Sequence, residues 1–246
     1  MSNFTNMEVT LLDYMGSELS IVNSARVSFA KESEAKEWID VDIDEVHTIR
    51  SELKEKDIKL IRYLANHGHW TPFAHVSLQF RIKAPLFVAR QLGKHQVGLV
   101  WNEVSRRYVD SEPEFYLPDV WRYKAQNKKQ GSTDDGIMNG ELENAIYNME
   151  SVDNCTLHPK EVCDATLDLY NSLIDMGICP EQARMVLPQN MMTEWIWSGS
   201  LFAFMRVCNL RCAKDTQLET QFIANKIYGK CYQLFPVACH YLNKGE

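Results

Sequence analysis

VSLQFRIKA, residues 76–84, alternates strictly between apolar and polar side chains. Val76, Leu78, Phe80 and Ile82 share one face of an extended chain, and Ser77, Gln79, Arg81 and Lys83 share the other, because successive strand residues point to opposite sides. The pattern predicts a strand with one buried and one wet face. Pro85 ends it and suits the start of a helix carrying Leu86, Phe87, Val88, Ala89 and Leu92. On that helix Arg90 and Lys94, four apart, are expected to share a face.

Outward from this strand, Met7 to Leu12 reads as a first strand and Leu19 to Ser28 as a helix. Glu34 to Glu52 is polar and expected to be a loop with some helix. Lys56 to Asn66 spaces Ile58, Ile61, Leu64 and Ala65 helically, with Gly68 placed to end it. Thr71-Pro72 predicts an N-cap followed by proline at the first helical position. Trp121 to Leu157, rich in Asn, Asp, Lys, Gly and Ser, reads as a polar insertion with one helix. Val162 to Met176, Pro180 to Leu187 and Thr216 to Phe235 predict further helices, and the densely apolar Trp195 to Leu210 must be core or subunit interface. With no internal repeat or linker, a single α+β domain over residues 1–246 is the simplest account.

The 45% apolar and 24% charged fractions are those of an ordinary soluble protein. No apolar run approaches the roughly 20 residues of a membrane span, and the N-terminus lacks a secretory signal, so a cytoplasmic protein is expected. Seven cysteines with no CxxC pair argue for buried thiols over disulfides or a zinc site. A net charge of −7 disfavours a general nucleic-acid binder. Yet from Arg81 to Arg107 the chain carries Arg81, Lys83, Arg90, Lys94, Arg106 and Arg107 against Glu103 alone. A basic pocket in an acidic protein suits a small anion.

Three segments carry candidate chemistry. In RQLGKHQVGLVWNEVSRRY, residues 90–108, arginine forks match phosphate oxygens, and Ser105 with loop N–H groups can complete an anion cradle. Gly98 is placed to loosen the chain there, and Glu103 either holds the cations or accepts from a pyrimidine imide; a solvated basic loop is the plainer reading. In the second, residues 181–215, Arg184, Arg206 and Arg211 lie beside apolar stretches. There each needs an anionic partner, either a protein carboxylate or a ligand oxygen. The third, HGHWTPFAH at residues 67–75, holds three histidines that straddle a helix start rather than sharing one helical face, so no metal is expected.

Together these segments resemble the flavin-dependent thymidylate synthases, in order and over nearly the whole chain. The matching pieces are ARVSF (25–29), HGHWTPFAH (67–75), KAPLFVARQ (83–91), NEVSRRY (102–108), EFYLP (114–118), ARMVLP (183–188) and NLR (209–211). The resemblance implies an α+β fold with an antiparallel or mixed sheet packed with helices, and a homotetramer with sites shared between subunits. It implies methylation of dUMP with methylenetetrahydrofolate, FAD and NADPH, and no cysteine nucleophile. Arg211 matches the catalytic arginine that contacts the pyrimidine and favours ionisation at N3. Being always protonated, it stabilises that anion rather than accepting the proton. The implied nucleotide-binding set is Arg90, Gln91, Lys94, Glu103, Val104, Ser105, Arg106, Arg107, Arg184 and Arg211. The implied flavin side is Ser28, His69, Thr71, Lys94, His95, Gln96, Glu103, Ser200 and Arg206. The reading requires Arg107, Arg184 and Arg211 to converge, within one chain or across neighbouring copies.

Departures fall mostly on the flavin side. The family's RHR, seven residues, serine becomes Lys94-His95-Gln96, eight residues, Ser105. Ser200, Phe202 and Arg206 stand where the family often has Asn, Arg and Asn. Ala74 replaces an acidic residue, Asp215 a histidine and Arg106 a small residue. Three functions remain open at this point: the thymidylate synthase, a relative that hydroxymethylates dUMP at C5, and a non-enzymatic nucleotide binder.

Overall fold

The computed structural model describes residues 1–41, 47–109, 111–126, 131–148 and 158–244. Strands β1 (Asn3–Phe4) and β2 (Glu8–Met15) lead into α1 (Glu18–Arg26). Gly16 makes the turn between them at φ +87°, where an added Cβ would lie 2.7 Å from Val76 Cγ1; only glycine suits both conditions. Ser17 and Ser20 close a reciprocal cap on α1, each hydroxyl accepting from the other's backbone N–H. A 3₁₀ turn, Val27–Phe29, carries Ser28 past the end of α1.

The Glu34–Glu52 stretch is not the expected loop with some helix. It forms β3 (Lys36–Val41) and β4 (His47–Glu52), paired antiparallel. Its polar composition hid the β-branched Ile39, Val41, Thr48 and Ile49, which favour extended chain. Helix α2 (Glu55–Asn66) follows as expected. Thr71 is not an N-cap. It lies inside a 3₁₀ turn, Thr71–Ala74, whose cap position is Trp70 with no side-chain hydrogen bond.

Strand β5 (Ser77–Pro85) gives way to α3 (Leu86–Leu92). That helix stops after two turns, with Gly93 N–H on Ala89 O. Lys94 therefore lies beyond it, and the shared face with Arg90 does not form. Next come β6 (Leu99–Glu103), β7 (Glu114–Phe115), β8 (Val120–Lys124), β9 (Ser132–Met138) and α4 (Asn139–Asn148). The expected insertion thus contains an antiparallel hairpin besides its helix. Residues 127–130 and 149–157, with Cys155, lie outside the described residues. The chain closes with α5 (Pro159–Asp175), α6 (Pro180–Ala183), a 3₁₀ turn at Arg184–Val186, β10 (Met192–Ser200), α7 (Leu201–Arg211), α8 (Leu218–Leu234) and α9 (Pro236–Leu242).

The principal sheet has the order β2-β5-β10-β6, antiparallel throughout. Its alternation matches the sequence: Val76, Leu78, Phe80, Ile82 and Ala84 are buried. Phe80 meets the Phe204 ring edge-on at 5.0 Å, and Trp101 stacks on Trp195 at 4.3 Å. On the opposite face Arg81 pairs with Glu194 at 3.7 Å and Lys83 with Glu114 at 2.5 Å. Helices α1, α2, α3, α7, α8 and α9 complete this core, while Phe115, Cys163, Leu167, Tyr170, Ala183, Leu187 and Met191 form a second cluster. Adjacent Leu86 and Phe87 pack on different clusters, so α3 joins the two.

Cys163, Cys208, Cys231 and Cys239 are buried free thiols, while Cys179 is exposed. Among the described residues no helix is long and apolar enough to cross a membrane, and no group of His, Cys, Asp or Glu is placed to hold a metal ion. Phe80→Ala, which empties the centre of the sheet's apolar face, is expected to cost about 3–5 kcal/mol of stability in a urea titration; a loss below about 1 kcal/mol would contradict this packing.

Candidate active site

Glu103 ends β6 opposite Trp195 of β10. Thr193 Oγ1 donates to its Oε1 at 2.8 Å, and Trp101 Nε1 donates to its Oε2 at 3.2 Å. Neutral donors therefore hold this carboxylate, not the cations expected to cluster on it. Each oxygen can accept again.

Two cavities open on this edge of the sheet, and a third lies apart from it. One of about 410 Å³ lies between α3, the 93–98 loop and β6, and is lined by Arg90, Lys94, His95, Gln96 and Glu103. A second, about 710 Å³, takes Arg90 and Glu103 from the other side together with Val104, Arg106 and Arg184. The third, about 1270 Å³, is lined by Gln91, Arg211 and Lys214, with the β8–β9 hairpin as one wall. One chain thus brings Arg90, Glu103, Arg106 and Arg184 to a common space and leaves Arg211 in another. Arg107 lines none of the three; its Nε donates to Ser105 Oγ at 3.2 Å and its guanidinium lies 4.9 Å from the Tyr108 ring centre. Ser28, His69 and Thr71 are exposed and line none of them either.

Arg184 and Arg206 are exposed, not embedded beside core. Each projects from the outer side of a helical turn whose other residues are apolar, which a one-dimensional reading of the stretch does not separate. Among the described residues Arg90, Lys94, Arg106, Arg184, Arg206 and Arg211 form no ion pair, whereas Arg81 and Lys83 do. Of the two partners the sequence left open, the protein carboxylate is absent among these residues.

The 93–98 loop is pinned against the end of β10 and the first turn of α7. Gly98 adopts φ +78°, and a Cβ on Gly199 would lie 2.4 Å from Gly98 O. Gly98 therefore tightens the chain where it was expected to loosen it. Ser200 spends its side-chain oxygen capping α7, accepting from Ala203 N at 3.2 Å. This packing delivers His95 to α7, where Arg211 Nε donates to His95 Nε2 at 3.0 Å. Arginine only donates, so His95 accepts there and carries its proton on Nδ1. Burial pushes the His95 pKa down, and Arg211 and then Arg206 push it further.

Sequence reasoning missed the residues that fix Gln91. Its Nε2 donates to Gln217 Oε1 at 2.5 Å, and Thr220 Oγ1 donates to its Oε1 at 3.1 Å. Both lie at the start of α8, which read only as an amphipathic helix. No spacing signal links them to a residue more than a hundred positions earlier.

Residues 10–237 match the family described as Thymidylate synthase complementing protein. The flavin-dependent thymidylate synthase of Thermosipho africanus is 33% identical over 242 residues, 96% of this chain and 92% of that one. The enzyme of the same name from Kosmotoga olearia is 34% identical over 215 residues, 87% of this chain and 80% of its own. Among solved structures, a UMP/dUMP methylase from Streptomyces cacaoi bound with 5-Br dUMP has a TM-score of 0.74 at 27% identity, covering 98% of this chain and 96% of that chain. This chain belongs to the thymidylate synthase complementing protein family, and these relatives carry the name flavin-dependent thymidylate synthase.

The depressed His95 pKa has a definite consequence for stability. Below the ordinary histidine range, near 6.5, the unfolded chain gains a proton that the folded His95 resists. Stability from this group is full above that range and falls as pH drops toward the folded value. His95→Gln should therefore show a shallower loss of melting temperature between about pH 7 and pH 5.5; an unchanged slope would refute a neutral His95.

Proposed function

We propose that this chain is a flavin-dependent thymidylate synthase: it replaces the C5 hydrogen of dUMP with a methyl group, taking the carbon from methylenetetrahydrofolate. The observation that carries the reading is the Arg211–His95 hydrogen bond. It ties the residue proposed to act on the pyrimidine to one proposed for the flavin side. The names of the family's relatives, and a structural neighbour described as a methylase, favour methyl over hydroxymethyl transfer.

With Nε committed to His95, Arg211 keeps its remaining N–H donors for the cavity it lines. There it stabilises negative charge developing at N3 of the uracil, which enriches C5 for attack on the one-carbon unit. Arg90, Gln91, Lys94, Glu103, Val104, Ser105, Arg106, Arg107 and Arg184 are the proposed nucleotide-binding set. Guanidinium groups without protein carboxylates are suited to the 5′-phosphate. Ser28, His69, Thr71, Lys94, His95, Gln96, Glu103, Ser200 and Arg206 are proposed for FAD. The donor set fits that group: Lys94 and Arg206, unpaired among the described residues, are cations for its phosphates, and neutral His95 and the Gln96 amide offer hydrogen bonds to a heteroaromatic ring. Bound there and reduced by NADPH, FAD would supply the hydride that completes the methyl group.

Within one chain Arg107, Arg184 and Arg211 do not share a cavity. We therefore propose a cytoplasmic homotetramer of single-domain chains, 1–246, in which a neighbouring copy brings the separated arginines onto one dUMP.

Mass analysis of the product made from dUMP, methylenetetrahydrofolate and NADPH should find dTMP; 5-hydroxymethyl-dUMP or unreacted substrate would reject the reading. Arg211→Ala is expected to lose about 100-fold or more in kcat with circular dichroism unchanged, and near-normal turnover would remove the proposed mechanism. Arg184→Ala should weaken dUMP binding roughly tenfold, which titration calorimetry can measure; an unaltered Kd would contradict a phosphate contact.

A further inference from the structure

The β8–β9 hairpin walls the cavity that Gln91 and Arg211 line, and an ion pair ties that wall to α8. Arg122, on β8, donates from Nη2 to both carboxylate oxygens of Glu219 at 3.0 Å, and its Nε donates to Ser132 Oγ on β9 at 2.8 Å. The pair is largely out of water, with side chains 17% and 6% exposed. Glu219 stands in the first turn of α8, between Gln217 and Thr220, the two residues that clamp Gln91. One turn of helix therefore holds the hairpin through Glu219 and Gln91 through its neighbours.

We propose that Arg122 is a positioning residue for the nucleotide: through Glu219 it locks the first turn of α8, and so sets both Gln91 and the hairpin wall around dUMP. This rests on reading the cavity as the nucleotide site. A charge-assisted pair shielded from water has strong directional preference, and removing one partner leaves a buried charge that must move toward solvent. Glu219 shares one hydrogen-bonded turn with Gln217 and Thr220, so a backbone shift at Glu219 is passed to both. The hairpin has only two strands and needs such an anchor to stay in place. Lysine is a poor substitute, since a point charge does not reproduce the guanidinium fork that meets Glu219 and Ser132 together.

The test compares the wild-type protein with Arg122→Gln, Glu219→Gln and the charge-reversed pair Arg122→Glu with Glu219→Arg. Titration of dUMP, steady-state kinetics and hydrogen exchange are measured on each. In Arg122→Gln both Kd and KM for dUMP should rise about tenfold, with kcat changed by less than about twofold. Exchange should quicken at residues 217–221 as well as at 120–124, and the reversed pair should recover part of the lost affinity. A purely structural role would lower the active fraction, and so kcat, while leaving Kd unaltered; that pattern overturns the proposal, as does faster exchange confined to the hairpin. Where Arg122→Gln does not fold, Glu219→Gln, nearly identical in shape, carries the same readouts. If the wild-type protein does not bind dUMP, the proposed function fails. Exchange then decides the coupling alone: faster exchange at residues 217–221 upholds it, and none there overturns it.

Discussion

The pairing of β5 with β10, continuous from Ser77 opposite Ser200 to Pro85 opposite Met192, is the constraint on which the site depends. Each strand passes directly into a helix, β5 into α3 and β10 into α7, at opposite ends of the pair. The chain leaving α3 must then travel back to place Leu99 opposite Gly199. That return path is the 93–98 loop, and the close approach at Gly98 and Gly199 fixes where it lies. Held at that point, the loop brings His95 within hydrogen-bond reach of Arg211.

Charge is distributed around this frame in an unusual way. Three carboxylates near the basic cluster are spent on other partners: Glu194 and Glu114 on Arg81 and Lys83, Glu219 on Arg122. Glu103 is satisfied by neutral donors, and His95 stays uncharged between two guanidinium groups. What remains is a group of arginines with no carboxylate of their own among the described residues, in a protein that is acidic as a whole. Cations left without a carboxylate partner are suited to an anionic ligand.

Much of the fold was legible wherever one periodicity dominated. The alternation at residues 76–84 located the central strand, and the helical spacing in α2, α5 and α8 located those helices to within a few residues. Legibility failed where composition and geometry disagreed. Polar residues concealed the β3–β4 and β8–β9 hairpins, because neither shows the strict apolar–polar alternation that marked β5. Arg184 and Arg206 read as buried among apolar neighbours, although helical geometry turns them outward.

By itself the sequence determined which residues are apolar at which period, hence the central strand and its flanking helices, and which motifs occur in the family's order. Those are local properties, set by each residue and its near neighbours. Only the tertiary structure decided that Glu103 rests on Thr193 and Trp101, that Arg211 meets His95, and that α8 begins by holding Gln91 on one side and the hairpin on the other. Apart from Trp101, two positions from Glu103, such contacts join residues about a hundred positions apart. Hydrogen bonds act over about 3 Å, and no local pattern records which distant groups the sheet will bring that close.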